Sequence, residues 1–191
     1  MKGVRQVFHP EPNGTCASEQ TIAKAKLAGD VDLVFELCVR ADDLSSAVAL
    51  AAAVPSTRFA LDHCGGHHQL NSNSPEEMRT TWRAGITKLG RMPNVYCKLS
   101  GLIGAQGGTE TCTGVGDWTP DAQRETILHC LRSFPPERLM FGGDWPVCTL
   151  SAPIGAWIEG CARLIREAQF TAEQQAWVWE KSAVKCYRLD C

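Results

Sequence analysis

The feature that most constrains this chain is an alternation. Short runs rich in β-branched and aromatic residues recur, each followed by a stretch of helix formers. Residues 4–8 (VRQVF), 32–39 (DLVFELCV), 58–62 (RFALD), 94–100 (NVYCKLS) and 138–142 (RLMFG) read as strands. Between them, residues 18–28 read as a helix that stops at Gly29 as its C′ glycine. Asp42 is placed to cap an Ala-rich helix that ends before Pro55. Ser74-Pro75-Glu76-Glu77 reads as a capping box opening a helix to about Leu89, and Thr119-Pro120 opens another to about Ser133. Two last helices cover roughly 153–168 and 172–186, the second capped by Thr171 with Gln174 at the box position. A β-α string repeated five times calls for an α/β fold with a parallel sheet and right-handed crossovers.

At 191 residues the length suits one domain spanning 1–191, but falls short of the roughly 250 residues of a closed (β/α)8 barrel. A net charge of −2 without a basic cluster argues against a nucleic-acid partner. The longest apolar run, residues 47–54, is far below the roughly 20 residues that span a bilayer, so no membrane partner is expected. The opening MKGVRQVFHPEP lacks the apolar stretch of a secretory signal, which makes the cytoplasm the expected location. Ten cysteines occur with no CxxC spacing, so they read as scattered reduced thiols rather than a disulfide framework or metal cluster.

Each strand leads into a polar group at its carboxyl end: His9, Arg40, His63, Ser100 and Asp144 in turn. In parallel α/β folds that edge is where ligands bind. Lys98 stands out among the strand residues. Alternation puts Val95, Cys97 and Leu99 on one face of their strand and Tyr96, Lys98 and Ser100 on the other. Both faces of a parallel strand are covered, so Lys98 either snorkels past a helix or reaches a polar mouth and holds an anionic or carbonyl oxygen. His63 beside Asp62 is compatible with a metal ligand, an acid/base or a core residue. His67-His68 near Cys64 is a weaker ligand set, because adjacent side chains rarely face one ion. The glycines at 107, 108, 114 and 116 match no phosphate-binding loop and read as a lid or insertion.

RFALDHCG (58–65), NVYCKLSGL (94–102) and RLMFGGDWPV (138–147) together resemble three successive motifs of the amidohydrolase-related TIM-barrel hydrolases. The resemblance is to their lactonase branch, which holds fuconolactonase-like and pyrone-dicarboxylate-lactonase-like enzymes. KGVRQV (2–7) and LVFELCVR (33–40) are similar to two earlier strands of that branch, and AVKCYRL (183–189) to its closing helix. The resemblance implies a (β/α)8 barrel represented by strands 3 to 8, the first two βα units being absent. It implies hydrolysis of a sugar-derived or dicarboxylate lactone, a small-molecule substrate, by base-activated water. Asp144 corresponds to the general base, and His63 to a second catalytic group that is a metal ligand in metal-using members. Arg5, Lys98 and Ser100 correspond to groups binding substrate oxygens, and Trp145 to the wall beside the base. One zinc-like divalent ion on His63 and Asp144, or no metal at all, is the cofactor expectation.

The family's His-x-His pair has no counterpart here, Ser182 stands where Asn is usual, and Gly143 where Ser is common. These departures lead to the expectation of a C-terminal fragment, a misplaced gene start or a degenerate copy with little activity of its own. Three alternatives stand beside the lactonase: a metal-dependent decarboxylase of the same fold, a non-catalytic relic, and an open α/β binding module.

Overall fold

The computed structural model describes residues 1–66, 74–103, 120–150 and 152–190. Five strands, β1 (Gly3–Val7), β2 (Val34–Cys38), β3 (Phe59–Leu61), β4 (Val95–Leu99) and β5 (Leu139–Phe141), pair in sequence order. Every pairing is parallel. These are the five runs picked out in the sequence. The resemblance counted six strands, third to eighth; the described residues hold five, and β1 and β5 are each paired on one side only.

The connecting helices are α1 (Glu19–Asp30), α2 (Leu44–Ala53), the single turn α3 (His63–Gly66), α4 (Glu76–Gly90), α5 (Arg124–Ser133) and α6 (Ile154–Glu167). The chain closes with α7 (Ala172–Ala176), a π-helical turn (Trp177–Lys181) and α8 (Ser182–Tyr187). No helix among the described residues is long and apolar enough to cross a membrane.

Strand alternation divides the interior in two. Phe35, Leu37, Phe59, Leu61, Val95, Cys97, Leu99 and Leu139 point to one face, where they pack with Trp82, Ile86, Ile127, Trp157 and Leu164 from the helices. Burying each large side chain of this kind contributes about 1.5–3 kcal/mol, which makes this layer the main source of cohesion. Val34, Ala60, Tyr96 and Met140 point to the opposite face and meet Cys186, Ala183 and Tyr187 of α8. The second layer is smaller and leaves room at the carboxyl end of the strands.

Several local expectations change. Gly29 lies inside α1 rather than beyond it. A Cβ there would come within 2.2 Å of Thr57 Oγ1, so the residue serves close packing, and the cap is Val31. Asp42 does not cap α2. The N-cap is Asp43, whose carboxylate instead accepts from Gly14 N and Ser46 Oγ. The capping box at Ser74 is not formed, because Pro75 is itself the N-cap of α4. The box at Thr171 and Gln174 is present with both hydrogen bonds.

The C-terminus of α4 shows how tightly the helical layer is set. Arg138 donates to the carbonyls of Gly90, Met92 and Val95, tying the last residue of the helix to the following turn and to the start of β4. A Cβ on Gly90 would lie 2.1 Å from the Ser133 carbonyl oxygen, a backbone atom with little freedom to move, whereas one on Gly155 in α6 meets nothing within 4 Å. Gly90→Ala is expected to lose about 2 kcal/mol by overpacking, lowering the melting temperature by roughly 4–8 °C. Gly155→Ala is expected to gain about 0.5 kcal/mol. Thermal unfolding followed by circular dichroism checks both signs.

Candidate active site

On the face covered by α8, the strands present four charges to one another. Arg5 of β1 lies opposite Glu36 of β2 in the sheet register, and its Nε donates to Glu36 Oε2 at 2.8 Å. Lys98 of β4 places Nζ 2.9 Å from Glu36 Oε1 and 2.9 Å from Asp62 Oδ1. Arg5 Nε also lies 2.9 Å from Asp62 Oδ2, but its single hydrogen is given to Glu36. That contact is therefore ionic, and the buried Oδ2 has no hydrogen bond of its own. Two cations and two anions form a closed quartet, with Tyr187 of α8 donating to Glu36 Oε1 at 2.5 Å.

Burial and charge act differently on the two acids. Burial pushes the Asp62 carboxyl above its ordinary value, with Lys98 opposing only part of the shift. For Glu36 burial pushes the same way, but hydrogen bonds from Tyr187, Lys98 and Arg5 outweigh it and hold the carboxyl below its ordinary value. The Tyr187 phenol is driven up by burial and by the Glu36 charge that it serves.

Above the quartet is a cavity of about 220 Å³, lined by Arg5, Asp62, His63, Lys98, Ser100, Asp144 and Tyr187, with Met140, Phe141, Gly142 and Ala183. His63 and Asp144 face each other across it with Nε2 and Oδ1 3.9 Å apart. That distance is too long for a direct hydrogen bond. The other imidazole nitrogen, Nδ1, shares a 3.0 Å hydrogen bond with Ser100 Oγ, which fixes the ring. Both catalytic candidates have left-handed backbone, His63 at φ 53° and Asp144 at φ 50°. Gly101, at φ 67°, lets the strand pass the imidazole: a Cβ there would lie 2.3 Å from His63 Nδ1.

Five of the residues singled out in the sequence, Arg5, His63, Lys98, Ser100 and Asp144, thus share one cavity. Trp145 does not. It follows the left-handed Asp144, does not line the cavity and is 71% exposed. His9 and Arg40 hold loops instead. His9 Nε2 lies 3.1 Å from the Val39 carbonyl, and Arg40 donates to the carbonyls of His9 and Glu11. His67, His68 and the glycines at 107–116 lie outside the described residues.

Glu36 and Tyr187 were missed. The signal for Glu36 was present, an acid alternating between Phe35 and Leu37, but nothing in the sequence says which strand will oppose it. The cysteines are also not all scattered, because Cys64, Cys97 and Cys130 converge with their sulfurs within 4.8 Å of one another.

His63 Nε2 and Asp144 Oδ1 are close enough for one ion, at about 2.1 Å from each, to touch both. A catalytic zinc commonly has three protein ligands, and the cysteine trio is the one group of three or more such donors among the described residues. The described side chains therefore make only part of a metal site.

Lys98→Met would leave Arg5 as the one cation of the quartet, with Tyr187 still donating to Glu36. Breaking a mostly buried ion pair in this way is expected to remove about 3 kcal/mol of stability near neutral pH. The Asp62 carboxyl already sits high, and losing Lys98 raises it further. A group with a raised folded-state pKa favours the folded state as pH falls, so the deficit should shrink on acidification to about pH 5. Denaturant titrations of both proteins at the two pH values measure it; an equal deficit at both would contradict the electrostatic account.

The amidohydrolase family model matches residues 1–189. An L-fucono-1,5-lactonase of Burkholderia multivorans is 30% identical over 168 residues, covering 83% of this chain and 52% of that protein. Its namesake in Burkholderia ambifaria is 29% identical over 169 residues, with 83% and 51% covered. A crystal structure of a Burkholderia multivorans amidohydrolase with bound zinc superposes at a TM-score of 0.83 and 26% identity, over 98% of this chain and 64% of the other. The chain thus spans about half the length of the curated relatives it matches. With the family match running almost from end to end, the chain belongs to the amidohydrolase family.

Proposed function

We propose that this chain carries catalytic and substrate-binding residues of a lactone hydrolase acting on a sugar-derived or dicarboxylate lactone. The observation that carries the reading is the meeting of Asp144 and His63 across a cavity that Arg5 and Lys98 also line. Hydrolysis of a cyclic ester adds water to the acyl carbon, breaks the ring C–O bond and yields a hydroxy acid. Asp144 takes a proton from the attacking water, a role that needs a carboxylate at the cavity wall. His63, oriented by Ser100, faces the carbonyl oxygen on which negative charge develops. Arg5 and Lys98 bind substrate oxygens, held by Glu36 and Asp62 before the substrate arrives. The likeness to two L-fucono-1,5-lactonases supports a sugar-derived lactone as the first substrate to try.

In the enzyme that carries this chain, Asp144→Asn is expected to lower kcat/KM for L-fucono-1,5-lactone at least 100-fold, the lower end of what a general base contributes. The circular-dichroism melting curve should stay in place. Turnover at the parent rate would remove Asp144 from the role of base. Product identity separates the readings: a hydroxy acid seen by NMR supports the lactonase, and released carbon dioxide supports a decarboxylase of the same fold.

A further inference from the structure

We propose that Cys64, Cys97 and Cys130 form a buried three-sulfur site for a soft, monovalent, thiophilic metal ion of the copper(I) class, separate from the candidate active site. The three residues come from three elements, the turn α3, strand β4 and helix α5, and their sulfurs all lie within 4.8 Å of one another. All three side chains are fully buried in the main hydrophobic layer. Cys97 projects to the face of β4 opposite Lys98, so the trio lies behind the sheet while the charge quartet lies in front. Cysteine often serves as a small apolar filler, but fillers are not required to converge in threes.

The donor set selects the ion. Soft thiolate ligands favour copper(I) and zinc, whereas carboxylate and carbonyl oxygens suit harder cations. Metal–sulfur bonds of about 2.3 Å put three ligands of a trigonal ion about 4 Å apart, inside the observed limit. Zinc prefers four ligands, so it would need a fourth protein ligand or a water beside the three thiols. A three-coordinate soft ion needs neither. Ligation exchanges S–H bonds for S–metal bonds and releases the protons to solvent, with no change in oxidation state. An ion held here would also stiffen the turn that carries His63, since Cys64 is its neighbour and Trp82 Nε1 already donates to the Cys64 carbonyl at 2.8 Å.

The test uses the reduced full chain, loaded anaerobically with copper(I) during refolding and then challenged with a copper(I) chelator. One equivalent per chain should resist the chelator, and X-ray absorption should report three sulfur neighbours and no oxygen or nitrogen. Cys130→Ala should lower the competition affinity at least tenfold, while Cys16→Ala/Cys186→Ala, which removes two buried thiols elsewhere, should leave it unchanged. The absorption measurement on the unsubstituted chain stands even if Cys130→Ala fails to fold. No retained equivalent, oxygen or nitrogen neighbours, or retention that depends on Cys16 and Cys186 would overturn the proposal.

Discussion

Lys98 between Glu36 and Asp62 is the interaction on which the front of the sheet depends. A charged side chain in the middle of a parallel strand cannot be left unpaired without several kcal/mol of desolvation cost. Its two acids come from β2 and from the end of β3, and Arg5 of β1 meets both of them. Four consecutive strands are thereby held in register by charge as well as by ladder hydrogen bonds. Tyr187 extends the same network to the last helix, so the floor of the cavity and the docking of the C-terminus are one set of contacts. A lysine held in this way is a fixed donor, and fixed donors are those that stabilise developing charge without reorganising.

Much of this was legible because parity is local. The alternation in β4 correctly put Lys98 and Ser100 on one face and Cys97 on the other, since a strand leaves no third choice. The Thr171 box was legible for the same reason, being complete within four residues. What failed depended on partners far along the chain. Gly29 looked like a helix stop, but its role is set by Thr57. Tyr187 meets Glu36 across 151 positions, and the three cysteines come from separate elements, so no spacing rule could unite them. Trp145 was expected at the wall beside Asp144 on the resemblance alone, and it is 71% exposed and outside the cavity lining.

His63 and Cys64 show how one short turn serves both sides of the sheet. Both residues are left-handed, at φ 53° and 50°, and their side chains part: the imidazole enters the cavity and the thiol enters the hydrophobic layer. The ring is then held by Ser100 and admitted by Gly101, two successive residues at the end of β4. Geometry at the cavity is thus set by a handful of backbone angles at strand ends, while the strands themselves remain regular.

Left-handed backbone costs an ordinary residue about 1–2 kcal/mol, and glycine almost nothing. At His63 and Asp144 a glycine would therefore relieve strain while deleting the side chains to which the proposed chemistry is assigned. Under the proposed function, stability and reactivity pull in opposite directions at these two positions. A chain kept only for its shape would gain by glycine at both positions, so the histidine and the aspartate are carried at a cost to the fold.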